Sequence, residues 1–201
     1  MATSLGLVGL PNAGKTTVFN ALTAAGAPAH NYPFCTIQRN IAAVPVPDPR
    51  LMRLAAVLSP EEVKPTTLEV VDIAGLVSGA HAGEGLGNRF LDDIRNVDAI
   101  LHVVRCFRNP TVARAGGSTN PVADLHLVDT ELALADLETV ERRREQLTKK
   151  AKATAGGTSP EIEAFCRIAS ELQAGRQGPM TVLSPEQRAV VEHERLLSQK
   201  P

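Results

Sequence analysis

The 201-residue sequence predicts a three-layer α/β domain followed by long helices, and three observations predict it. Short apolar, β-branched runs alternate with helical stretches, the sign of layered α/β architecture. The first of those runs ends in Gly9-Leu10-Pro11-Asn12-Ala13-Gly14-Lys15-Thr16, a match to G-x-x-x-x-G-K-[ST] with a helix-like stretch behind it. Residues 124–153 contain neither Gly nor Pro, which is the composition of a long helix.

The elements follow in order. Residues 5–9 read as a strand, and the Gly-rich string opens a helix over residues 16–25. In that strand–loop–helix setting, the loop's backbone N–H groups and the helix N-terminus converge on one spot and favour a polyanion there. The expected nucleotide contacts are Asn12, Ala13, Gly14, Lys15, Thr16 and Thr17. Lys15 reaches the terminal phosphates and is the candidate catalytic cation, while the Thr16 hydroxyl ligates Mg2+. The chain is thus a P-loop NTPase by this motif, expected to bind a nucleoside triphosphate with Mg2+ as cofactor.

Residues 41–45 read as a strand, 50–58 as a short helix stopped by Ser59-Pro60, and 68–72 as a second β-branched strand. At the carboxyl end of that strand stands Asp72-Ile73-Ala74-Gly75, a D-x-x-G string. Open α/β sheets hold ligands at the carboxyl ends of strands. There Asp72 is placed to hold the metal through water, and the Gly75 N–H to sense a γ-phosphate. Glycines at 79, 83, 85 and 87 suit a loop that orders on the triphosphate. Phe90, Ile94 and Val97 give residues 89–97 an amphipathic helical spacing, and 99–105 read as a strand.

After Pro121 the character changes. Leu125, Val128, Leu132 and Ala135 step by helical intervals, as do Leu137, Val140, Arg144, Leu147 and Ala151. Gly156-Gly157-Thr158-Ser159-Pro160 interrupts, with Ser159 as N-cap and Pro160 at the first helical position. Ile162, Phe165, Ala169 and Leu172 then continue the helical spacing up to Gly175. Periodicity alone leaves two arrangements open: an antiparallel helical hairpin forming an arm, or two helices packed back on the domain. The charges have two readings as well. Glu138, Glu141 and Glu145 alternate with Arg142, Arg143, Arg144, Lys149, Lys150 and Lys152, which makes either a basic tip that touches RNA or a solvated helix laced by i,i+4 pairs. Ser184-Pro185-Glu186-Gln187 starts a last helix, to about residue 197. With the hairpin as an arm, the division is an NTPase domain at 1–123 and 182–201, with residues 124–181 as the arm.

Between the two phosphate motifs lies Asn31-Tyr32-Pro33-Phe34-Cys35-Thr36-Ile37. Together with G-L-P-N-A-G-K-T, the run D-I-A-G-L-V and G-E-G-L-G-N, it resembles the YchF (Obg-like ATPase) family, a branch of the Obg-related P-loop proteins. Residues 93–107 and 129–138 extend the resemblance to nearly the whole chain. It implies a coiled-coil arm at residues 124–181, ATP hydrolysis with GTP as a second substrate, and action as a ribosome-associated switch. It also implies that Thr36 is a mobile-loop threonine whose hydroxyl joins Mg2+ when the triphosphate is bound. The chain departs from the pattern at Ile37-Gln38-Arg39-Asn40, where the family runs I-x-P-N, and residues 114–120 are looser than the family's equivalent. The base-reading N-K-x-D or N-x-x-E is absent, so the chain is taken as the N-terminal portion of a longer protein.

Composition sets bounds. Twenty-one basic and 22 acidic residues give net −1, so no global field draws the chain to DNA or to a membrane. Three cysteines without a C-x-x-C pair argue against a disulfide scaffold or a zinc site. No signal-like start or long apolar run is present, which together with the cysteines predicts a reduced, cytoplasmic protein. Cys35 is either a redox-sensitive thiol or a buried apolar residue. Leu76 follows D-x-x-G where many related GTPases carry a water-positioning Gln, and its side chain cannot hydrogen-bond a nucleophile. Slow intrinsic turnover is expected, with the water-positioning group unassigned. Two rivals stand beside the hydrolase: a P-loop kinase with a small acceptor, and a nucleotide-gated binding module with negligible hydrolysis.

Overall fold

The computed structural model describes residues 3–25, 41–75, 86–109, 111–112, 120–153, 159–175 and 182–201. Four strands form one sheet in the order β2-β3-β1-β4, with β1 at Thr3–Val8, β2 at Ile41–Pro45, β3 at Thr67–Asp72 and β4 at Ala99–His102. β1 runs parallel to β3, with Leu7 opposite Asp72, and parallel to β4, with Val8 opposite His102. β2 pairs antiparallel at the outer edge, Ala43 opposite Glu69. The central place of β1 follows from its apolar run Leu5 to Val8, since a strand flanked by parallel neighbours is covered on both faces.

Side chains alternate across that sheet. Leu7 and Val70 pack with Phe19 of α1 (Lys15–Ala25) on one face. Val8 and Ile73 pack on the other face against Phe90, Leu91, Ile94 and Val97, contributed by or next to α3 (Leu86–Asn96), and against Val128, Leu132 and Ala135 of α4 (Pro121–Ala153). These are the three layers that the alternation predicted. α2 (Pro49–Leu58) is set off from them. It is bounded by the Asp48 carboxylate accepting from the Arg50 N–H and by Ser59 in the left-handed region, and none of its residues is buried.

The 33-residue α4 serves two cores. It begins at Pro121, three residues ahead of the segment expected to open the arm, and its first stripe belongs to the sheet's core. Its second stripe, centred on Val140 with Leu137 and Leu147 beside it, packs on Ala164, Phe165, Ile168 and Leu172 of α5 (Pro160–Gln173), and on Val191 of α6 (Pro185–Glu192). The contacts between α4 and α5 run in reverse order: Gln173 donates to Glu141 at 3.2 Å, whereas Glu161 at the other end of α5 lies 3.7 Å from Arg143. Ser159 caps α5 as its sequence predicts, and Ser184 caps α6 in a full capping box with Gln187.

Two boundaries differ from the expected ones. β4 stops at His102 instead of residue 105, because past Val103 the chain turns away and the Arg105 guanidinium bonds the carbonyls of Asn109 and Val112. α6 stops at Glu192 instead of about residue 197. Arg195 sits in the left-handed region at φ 47°, and the N–H groups of Leu197 and Ser198 go to the buried carboxylate of Asp136 at 2.7 and 2.8 Å. Among the described residues no helix is long and apolar enough to cross a membrane.

Candidate nucleotide site

The Gly-rich string leaves β1 at its carboxyl end and enters α1 at Lys15. Gly9 is required there by close approach: a Cβ at this position would fall 2.3 Å from the Val103 carbonyl oxygen, and the Val103 N–H pairs with the Val8 carbonyl at 2.7 Å. The loop is thereby pinned to the segment just past β4. Asn12 turns the loop in the left-handed region, φ 60°, which Asn tolerates better than most residues. Ala13 is buried, while Asn12, Thr16 and Thr17 are exposed on the outer side of the turn.

Lys15 is only 7% exposed. Its Nζ donates to the carbonyls of Gly9 at 3.1 Å and Leu10 at 3.0 Å, so the ammonium lies folded within its own loop. Burial pushes its pKa below the ordinary lysine value, and the Asp72 carboxylate opposes that shift. The Thr16 hydroxyl donates to Asp72 Oδ2 at 2.7 Å, joining the start of α1 to the end of β3. Gly75 closes over the crest: a Cβ there would lie 2.9 Å from both N and Cα of Pro11 and 3.1 Å from Lys15 Nζ.

The structure therefore brings Lys15, Thr16, Asp72 and Gly75 into one cluster at the carboxyl ends of β1 and β3. These are the residues that the two separate motifs nominated, 56 positions apart for Thr16 and Asp72. Thr36, Cys35 and Leu76 lie outside the described residues. Pro11 was not singled out by the motif, in which it fills a variable position, yet it is the residue Gly75 touches. Only the spatial approach of the two loops reveals it.

The donor set suits a hard cation. Thr16 Oγ1 and Asp72 Oδ2 are both oxygens, and Mg2+ takes oxygen ligands, keeps several waters and needs only one or two protein groups beside phosphate. No cluster of three or more His, Cys, Asp or Glu stands ready to cage a metal among the described residues.

Comparison with known proteins places this geometry. The family described as "50S ribosome-binding GTPase" matches residues 4–154. The "Ribosome-binding ATPase YchF" of Escherichia coli O157:H7 is 47% identical over all 201 residues, which cover 55% of that protein. The one from Pasteurella multocida (strain Pm70) is 59% identical over 152 residues, 76% of this chain and 42% of that one. The solved Schizosaccharomyces pombe YchF GTPase superposes with a TM-score of 0.80 at 35% identity, covering 99% of this chain and 55% of that structure. The chain thus spans about half the length of the curated relatives it matches. The chain belongs to the 50S ribosome-binding GTPase family, among its YchF members.

Proposed function

We propose that this chain is the nucleotide-binding part of a ribosome-associated, Mg2+-dependent P-loop ATPase that also accepts GTP, and that it works in the cytoplasm. The observation that supports it is the convergence of Lys15, Thr16, Asp72 and Gly75 on one face of the loop. The loop amides and the α1 N-terminus hold the phosphates. Lys15 leaves its two carbonyl partners to meet the β- and γ-oxygens, where its charge stabilises the anion that builds up as the terminal bond breaks. The Gly75 N–H reads the γ-phosphate. Thr16, with Asp72 through water and with Thr36, holds the Mg2+, which when bound neutralises phosphate charge. Asn12, Ala13, Gly14 and Thr17 complete the cradle.

The arm, residues 124–181 in this proposal, presents Arg142, Lys149, Lys150 and Lys152, all exposed, as the ribosome-facing charge. Arg143 and Arg144, also candidates from the sequence, are half-buried, and Arg143 is engaged with Glu161 of α5 at 3.7 Å and with Glu194, past the end of α6, at 3.0 Å. The second reading, a nucleotide-gated binding module with negligible hydrolysis, is favoured by the apolar Leu76 after D-x-x-G. Single-turnover hydrolysis of ATP and GTP, with and without ribosomes and with Lys15→Ala as control, separates the two. Triphosphate binding without phosphate release under any of these conditions would leave only the binding module.

A further inference from the structure

Asp136 is 1% exposed in the middle of α4. A buried carboxylate needs partners that repay its lost hydration. Its partners all come from elsewhere in the chain: the N–H groups of Leu197 and Ser198 at 2.7 and 2.8 Å, the Ser198 hydroxyl, and the charge of Arg95 at the end of α3. Arg95 in turn donates to Thr139 Oγ1, one helical turn along α4, at 3.3 Å.

The segment that Asp136 holds, residues 196–201, is tied at two more points. Lys200 Nζ donates to the carbonyl of Arg95 at 3.1 Å and also to that of Val97, so its ammonium caps the carboxyl end of α3. The Ile100 N–H donates to the Pro201 carbonyl at 2.9 Å, on the edge of β4. Leu197 is fully buried in the same core as Ile94, Val97, Leu132 and Ala135. Six residues therefore link the end of α3 and the middle of α4 through charge-assisted bonds, the one from Leu197 to Asp136 buried, and reach the sheet edge through a backbone bond. α3 is the next described element after Gly75, and α4 carries the arm.

We propose that residues 196–201 are a strap that passes movement of α3 to α4, with Asp136 as the joint on the α4 side and Lys200 as the joint on the α3 side. α3 moving on triphosphate binding would carry Lys200 with it, and Asp136 would transmit the pull to α4 at the point where that helix leaves the sheet core for the arm. This rests on the reading of Gly75 as the γ-phosphate sensor.

The test is amide hydrogen exchange on the whole chain, free and with Mg2+ plus a diphosphate or a non-hydrolysable triphosphate, alongside calorimetric affinities. In the wild type, exchange in residues 196–201 and 140–153 is expected to differ between the two nucleotides. In Asp136→Ala, triphosphate affinity should stay within about threefold of wild type, the Leu197 and Ser198 amides should exchange at least about tenfold faster, and the nucleotide-dependent difference in 140–153 should disappear. Lys200→Met, which leaves Asp136 in place, should abolish the same difference while sparing the Asp136-bound amides, and Asp136→Asn serves if the alanine variant does not fold. A nucleotide-dependent difference that survives in both variants overturns the strap. So does a wild type that binds triphosphate with no difference in 140–153. A wild type that binds no triphosphate refutes the sensor reading instead, and the strap falls with it.

Discussion

Gly75→Ala isolates what the approach of the two loops contributes. The added methyl would lie 2.9 Å from N and Cα of Pro11 and 3.1 Å from Lys15 Nζ. Non-bonded carbon contacts settle near ~3.5–4.0 Å, so the D-x-x-G turn must retreat by roughly half an ångström or more. The Lys15 ammonium is the far end of a flexible side chain and can swing away. Pro11 cannot, because its ring holds its own φ and its backbone is part of the phosphate cradle. Overpacking of this kind costs about 1–3 kcal/mol, equivalent to about a 5- to 150-fold shift against the closed arrangement. A retreating turn moves the Gly75 N–H away from a γ-phosphate while leaving the cradle for the α- and β-phosphates in place. The expected result is a loss of at least about tenfold in affinity for a non-hydrolysable triphosphate, with diphosphate affinity changed by less than about threefold. Calorimetric titration of both nucleotides measures the ratio, and urea unfolding of the unliganded variant checks that the fold survives. An unchanged ratio of triphosphate to diphosphate affinity would refute the claim that Gly75 senses the γ-phosphate against Pro11.

Lys15→Ala should weaken triphosphate binding at least about tenfold, since it removes a charge-assisted contact of ~1.5–3 kcal/mol; calorimetry checks it. Thr36→Ala should lower triphosphate affinity and spare diphosphate binding, and equal losses for both would count against a switch role. Charge reversal at Arg142, Lys149 and Lys150 should weaken ribosome co-sedimentation and flatten its salt dependence by up to about 0.9 in log–log slope per lost phosphate contact, whereas reversal at Arg143 should instead loosen α5 and α6 by breaking its ties to Glu161 and Glu194. Lys15 also has a pH signature. Its folded pKa lies below the ordinary value because of burial, so the protonated side chain opposes folding, and stability rises as pH climbs from that lowered value toward the unfolded one. A bound triphosphate raises the pKa again, so binding should take up protons and weaken as pH rises through the lowered value. Titrations in two buffers of different ionisation enthalpy detect that uptake, which Lys15→Ala should remove.

The sequence by itself determined the layered fold, the phosphate loop and the D-x-x-G strand end, because each is written locally. Alternation of β-branched runs placed β1 to β4 within a few residues, and Gly, Ser and Pro punctuation placed the cap of α5 and the start of α6. Thr16 and Asp72 were nominated separately from their own motifs. What only tertiary structure decided is where local preference meets a distant competitor. α6 ends early where Glu194 and Arg195 tighten into i→i−3 bonds, and the Leu197 and Ser198 amides beyond them go to Asp136. Periodicity described both stripes of α4 but not that Val128 and Leu132 cover the sheet while Val140 turns to α5 and α6, since period gives a face and not its neighbour. Pro11 carries no signal in a variable motif position until Gly75 is seen against it. Charge composition likewise could not separate Arg143, held between Glu161 and Glu194, from Arg142 beside it, because an ion pair depends on distance in space and sequence order leaves that distance open.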